Sequence, residues 1–208
     1  MVFASLSFTL EPSESLLLLG PNGSGKSSLL RLLAGLSRPA TGELYWKGRP
    51  IDDAPERYTA AVRYVGHLDA IKPALSVAEA LVFWGGLAGL GQQQVAEATA
   101  RALTCFGLSA FADTPGRLLS AGQKRRVNLA RLLLDTADLW LLDEPATALD
   151  QDSITALGNI IAAHRARGGM VILSTHMIVD LPQARQLDMR DFAFNPLQRV
   201  YPRKGSRL

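Results

Sequence analysis

The chain has 208 residues, of which 48% are hydrophobic and 20% charged, a balance that supports one domain, or a core with a subdomain, and excludes a disordered chain. Its formal net charge of +3 is mild, and its single cysteine, Cys105, has no partner for an internal disulfide, which fits a reducing compartment. No apolar run reaches bilayer-spanning length, and residues 1–10 lack the basic start of a secretion signal.

In chain order, Val2, Ala4, Leu6, Phe8 and Leu10 share one parity, which predicts a half-buried strand. A Glu-Pro-Ser-Glu turn at residues 11–14 leads into an apolar strand over residues 15–19. Gly20, Pro21, Asn22, Gly23, Ser24, Gly25, Lys26 and Ser27 then fit Gly-x4-Gly-Lys-[Ser/Thr]. Ser28 follows, and Leu29, Leu30 and Leu33 stand at helical spacing. Strand, glycine loop and helix form the context of a phosphate cradle, with inward N–H groups and a positive helix end. Lys26 reaches the β- and γ-phosphates there, and the Ser27 hydroxyl holds Mg2+. The glycine spacing is not that of a dinucleotide fingerprint, which disfavours NAD.

Residues 43–47 read as a strand before Gly48, and residues 62–65 as another that delivers Gly66 and His67. From Ser76 to about Arg117 the texture turns to Ala, Leu and Gln, which predicts a helical insert in an α/β core. Its most apolar part, residues 80–90, has two readings: packing inside the helical lobe, or a surface for a partner.

Ser120 is a good N-cap for a helix carrying Val127, Ala130 and Leu133 on one face, and its Ser and Gly122 front an anion site beside Gln123. Lys124, Arg125 and Arg126 read as a solvated face, since no aromatic residue interleaves with them as in nucleic-acid binders. Residues 139–142 form an unbroken apolar run ending in Asp143 and Glu144, as in a central parallel strand buried on both faces. Carboxylates at that end of an α/β sheet lie in the ligand crevice; Asp143 is placed for Mg2+ and Glu144 for polarising an attacking water. Asp150 precedes a helix, and residues 170–174 form the next buried strand, topped by Thr175 and His176. His176 leaves its strand at the same edge as Asp143, and it has two readings, a γ-phosphate contact or a packed histidine. His67 and His164 show no metal-ligand spacing with it, so no zinc site is expected. Residues 192–194 and 200–201 read as closing edge strands. Arg199, Arg203, Lys204 and Arg207 read as a solvated tail with a weak attraction to anionic lipid heads.

Together these segments resemble the ATP-binding cassette of ABC transporters: the Walker A loop (residues 20–27), the signature (119–123), the Walker B strand (139–144), the D-loop (148–150) and the switch histidine (His176). The resemblance covers nearly the whole chain. It implies an α/β P-loop NTPase fold of the ABC type. A RecA-like core (residues 1–75 and 135–208) would carry an inserted helical subdomain (about 76–134) and antiparallel edge strands in one nucleotide-binding domain. It implies ATP and Mg2+, and a head-to-tail homodimer in which Lys26, Ser27, Asp143, Glu144 and His176 of one chain face Ser120 and Gly122 of the other. Residues 36–48, Gly66 with His67, 118–133 and 168–176 are also similar to the ATP-binding subunit of heme exporters in cytochrome c maturation. That implies integral membrane partners, a peripheral place on the cytoplasmic face of the bacterial inner membrane, only an indirect connection to heme, and no nucleic acid. ATPases of other ABC exporters or importers, and soluble ABC ATPases acting on DNA or ribosomes, are the alternatives.

Two departures stand out. His67 occupies the place where most cassettes carry a glutamine. Most cassettes also have a further strand and an adenine-stacking aromatic upstream of the position of Met1, and Phe3 is too close to the loop to replace it.

Overall fold

The computed structural model describes residues 2–175 and 181–194. Five parallel strands make its main sheet: β1 (Ser15–Leu19), β4 (Val62–Val65), β5 (Leu139–Asp143), β6 (Met170–Ser174) and β7 (Arg185–Asp188), in the order β4-β5-β6-β1-β7. Two short strands, β2 (Tyr45–Trp46) and β3 (Arg49–Pro50), form a separate antiparallel pair.

The central strands β5 and β6 are buried along their whole length. Continuous apolar sequence permits this, because helices cover both faces of a parallel sheet. Alternation then divides the side chains. Leu139, Leu141 and Ile172 pack on one face with Leu29, Leu30 and Leu33 of α1 (Lys26–Leu33). Trp140, Leu142, Val171 and Leu173 pack on the other, with Val127 and Leu129 of α5 (Ala121–Ala130) and Leu157 and Ile161 of α6 (Gln151–Ala166).

Between β4 and β5 the chain is helical: α3 (Val77–Leu87), α4 (Gln92–Cys105) and α5, while the short α2 (Pro55–Ala61) precedes β4. Capping boxes start α3 at Ser76 with Glu79 and α5 at Ser120 with Gln123. The apolar segment of α3 divides by face: Ala80, Leu81 and Gly85 are buried, whereas Val82, Phe83 and Leu87 are exposed.

The ends of the chain depart from the sequence expectation. Residues 2–10 are not a strand; Leu6, Phe8 and Leu10 do alternate against the core, but Ser5 takes a positive φ of 58°, which shifts the parity, and Val2 is exposed. The edge strand is β7, which joins β1 in parallel. Among the described residues, antiparallel pairing is confined to β2–β3 and two isolated bridges, Phe3–Ala193 and Ser76–Pro115. Residue 192 ends a 3-10 turn instead of opening a strand, and residues 200–201, with the basic tail, lie outside the described residues.

His164 is buried on α6, with its ring stacked on Trp140 at 3.9 Å between centroids and 5° between planes. A Cβ on Gly169 would lie 2.3 Å from that ring, so only glycine fits beside it. Burial holds the imidazole pKa below its ordinary 6.5. The unfolded chain therefore takes up this proton first, and stability falls as pH drops through that value. His164→Phe keeps the stack and removes the titration. Its thermal midpoint should change less than that of the parent between pH about 7.5 and about 5.5, measured by calorimetry.

Candidate nucleotide site

β1 delivers residues 20–25 to the carboxyl end of the sheet, where they turn into α1. Gly25 is the N-cap of α1 with φ 100°, and its side supplies no cap hydrogen bond, so the first N–H groups of the helix keep their donor capacity. A Cβ there would meet Val2 Cγ1 at 2.9 Å and Phe3 Cδ1 at 3.0 Å, which adds a steric reason for glycine to the conformational one. Phe3 thus lies against the loop itself. Lys26 is buried and folds back over the loop, its ammonium donating to the carbonyls of Gly20 at 2.7 Å and Pro21 at 3.0 Å. Gly23, Asn22 and Pro21 are exposed at the rim, as are Ser27 and Ser28 behind them. The Ser24 hydroxyl is buried without a hydrogen-bond partner among the described residues, an orphaned donor in a loop shaped for an anion.

Two other strands bring oxygen atoms to the same edge. Asp143 ends β5 and is 2% exposed; its Oδ1 accepts from Ser27 Oγ at 3.0 Å and from Ser174 Oγ, at the end of β6, at 2.7 Å. The β5–β6 register pairs Asp143 with Ser174, which is why those side chains meet. Ser27 and Asp143 are hard oxygen donors of the kind that hold Mg2+, which takes few protein ligands and completes its shell with phosphate and water. Tyr64 of β4 adds a phenol close to this carboxylate; burial first, then the charge of Asp143, raises its pKa.

Glu144 follows Asp143 in a left-handed conformation, φ 52°, with its N–H donating to the Ser174 carbonyl at 3.0 Å. Such a residue is held only where its surroundings over-determine it. The device that holds it is one the sequence misled about. Arg125 is not on a solvated face: it is 3% exposed and points into the loop after β5. Burial lowers its pKa, against the raising influence of Asp69, Asp143 and Glu144. A basic triplet reads as surface in any sequence, and only the packing of α5 turned the middle residue inward.

The signature residues lie beside this loop. Ser120 is exposed and caps α5 by accepting from Gln123 N–H at 3.2 Å, while the Gln123 side chain accepts from Ser120 N–H at 2.8 Å. A Cβ on Gly122 would come within 2.8 Å of the Ala148 carbonyl, so α5 rests directly on the loop that leads to Asp150. Asp150 is exposed and caps α6 through Ser153 N–H at 2.9 Å; its bonds to Ser153 hold the carboxyl below its usual range. His67 is exposed beyond β4, next to Gly66. His176 lies outside the described residues.

Residues 3–147 match the family model described as ABC transporter. The chain belongs to the ABC transporter family. Within that family, it is 57% identical over 195 residues to the cytochrome c biogenesis ATP-binding export protein CcmA of Rhodospirillum rubrum, covering 94% of this chain and 82% of the relative. It is 54% identical over 193 residues to the CcmA protein of Paramagnetospirillum magneticum, covering 93% and 89%. Among solved structures, one described as the ATP binding subunit of an ABC transporter superposes with a TM-score of 0.77 at 28% identity, over 85% of this chain and 73% of that one. As an ABC cassette with this fold, the chain is an ATP-hydrolysing subunit.

Removing the Lys26 ammonium removes the charge that the loop is wrapped around. Lys26→Ala should weaken ATP binding by about 10- to 100-fold, the weight of a charge-assisted hydrogen bond or two. Equilibrium binding of a fluorescent ATP analogue measures it, and unchanged affinity would sink the assignment.

Proposed function

We propose that the chain is the ATPase subunit of an export complex in cytochrome c biogenesis, where ATP hydrolysis drives heme export or release of a heme chaperone. The chemistry rests on one observation: the Lys26 ammonium, the Ser27 hydroxyl and the Asp143 carboxylate converge at a single sheet edge. The pathway rests on the CcmA relatives, which match more than nine-tenths of the chain.

In this reading, residues 20–28 wrap the phosphates, and Lys26 exchanges its loop carbonyls for β- and γ-phosphate oxygens. Ser27 and Asp143 hold Mg2+, which when bound neutralises the phosphate charge that develops in the reaction. Glu144 accepts the proton of the attacking water, and His176 contacts the γ-phosphate. Phosphoryl transfer asks chiefly for position and charge, which is what these side chains supply.

Ser120, Gly122 and Gln123 belong to the other half of a composite site: in a head-to-tail homodimer, Ser120 and Gly122 of the partner subunit present a second helix N-terminus to the same ATP. Asp150 and His67 belong to the nucleotide-binding residues in this reading. The core (1–75 and 135–208) and the helical lobe (about 76–134) are the two parts of one nucleotide-binding domain in this reading.

No helix among the described residues is long and apolar enough to cross a membrane. The exposed Val82, Phe83 and Leu87 of α3, with Lys72 Nζ 4.7 Å from the Phe83 ring centre, support docking to integral membrane subunits. In this reading the chain sits peripherally at the cytoplasmic face of the inner membrane, with heme handled by its partners.

Glu144→Gln should retain ATP binding while turnover falls by about 10²–10⁴, the usual cost of a lost general base. Phosphate release and ATP binding, assayed on the same preparation, decide it; near-normal turnover would overturn the role. Co-purification from solubilised membranes, with a heme assay, tests the pathway: recovery with an unrelated permease would keep the ATPase and discard cytochrome c.

A further inference from the structure

Arg125 directs its three donor nitrogens at two segments, the loop after β5 and residues 66–69. Its Nε donates to the Pro145 carbonyl at 3.2 Å, and one terminal nitrogen donates to the carbonyls of Asp143 at 2.7 Å and Glu144 at 2.6 Å. The other donates to the Gly66 carbonyl at 2.8 Å and reaches Asp69 Oδ1 at 3.5 Å. Three consecutive carbonyls of the loop after β5 therefore converge on a single guanidinium. One of them belongs to Glu144, whose backbone sits in the left-handed region.

A purely packing role explains this poorly. A buried ion pair can be replaced by well-packed apolar side chains at little cost, but no apolar side chain satisfies three adjacent carbonyls turned away from the sheet. A planar fork of fixed donors does so, and in doing so fixes the direction in which the Glu144 side chain leaves the backbone. The same residue is carried by α5, whose first turn rests on Ala148 at Gly122.

We infer that Arg125 is a positioning residue: it sets Glu144 of its own chain for proton abstraction and ties that setting to the placement of α5 and of the Gly66–His67 segment. The inference rests on the reading of Glu144 as the base. Through this link a nucleotide held at the start of α5 acts on the Glu144 of the same chain, so the two sites of a head-to-tail dimer sense one another through Arg125.

The test compares Arg125→Lys and Arg125→Gln with the parent in the intact chain, using MgATP. Turnover per bound nucleotide should fall by about 10- to 100-fold in Arg125→Gln while the dissociation constant stays within about threefold. Arg125→Lys, which keeps the charge and some donors, should recover part of the loss. A merely structural role would instead lower the number of sites that bind and leave turnover per filled site intact; that result overturns the proposal. If Arg125→Gln gives no cooperative melt, Arg125→Lys decides the matter, and full turnover per bound nucleotide in it overturns the inference. Adding Arg125→Lys to Glu144→Gln separates the inference from the reading beneath it. If Arg125 acts through Glu144, the residual turnover of Glu144→Gln is not reduced further. A further multiplicative loss rejects the inference alone, whereas high turnover in Glu144→Gln by itself rejects the base assignment and the inference with it.

Discussion

A carboxylate at the end of a fully buried strand must be hydrogen-bonded or it destabilises the fold, and Asp143 is 2% exposed. Two hydroxyls meet the need, Ser27 from the helix that follows the phosphate loop and Ser174 from the neighbouring strand. That three-residue contact locks β5, β6 and α1 into one register at the carboxyl edge of the sheet. The far end of the phosphate loop is anchored in this way, and the two oxygens that anchor it are the ones suited to a metal ion.

The loop immediately beyond Asp143 meets the opposite problem. Its carbonyls turn away from the sheet after β5 ends, and Glu144 is held in a conformation that few side chains adopt. Arg125 supplies the missing donors from α5. The sheet edge is therefore stabilised from two sides by different chemistry, hydroxyls on the carboxylate of Asp143 and a guanidinium on the backbone that follows. The helical segment is not a passive insert; one of its helices holds the backbone of a candidate active-site residue.

Apolar surface divides along a similar line. α3 has apolar residues all round, so periodicity could not say which face would be covered; Leu81 faces the core and Leu87 the solvent. His164 shows a related ambiguity. A lone histidine in a helix has no signature, yet it proves to be a flat partner for Trp140, with Gly169 cleared of a side chain to admit it.

The sequence by itself determined the local events: the glycine loop between strand and helix, the N-caps at Ser120 and Asp150, and the unbroken apolar runs that become β5 and β6. Each is set by residues within a few positions of one another, where propensity, capping and periodicity act directly. Only the tertiary structure decided that Arg125 is buried, that residues 2–10 cover the core without pairing as a strand, and that β7 closes the sheet in parallel. Those outcomes depend on which groups distant in sequence are left needing a partner. A charged side chain turns inward where carbonyls 18–20 residues away converge on it, and that convergence does not exist until the chain has folded.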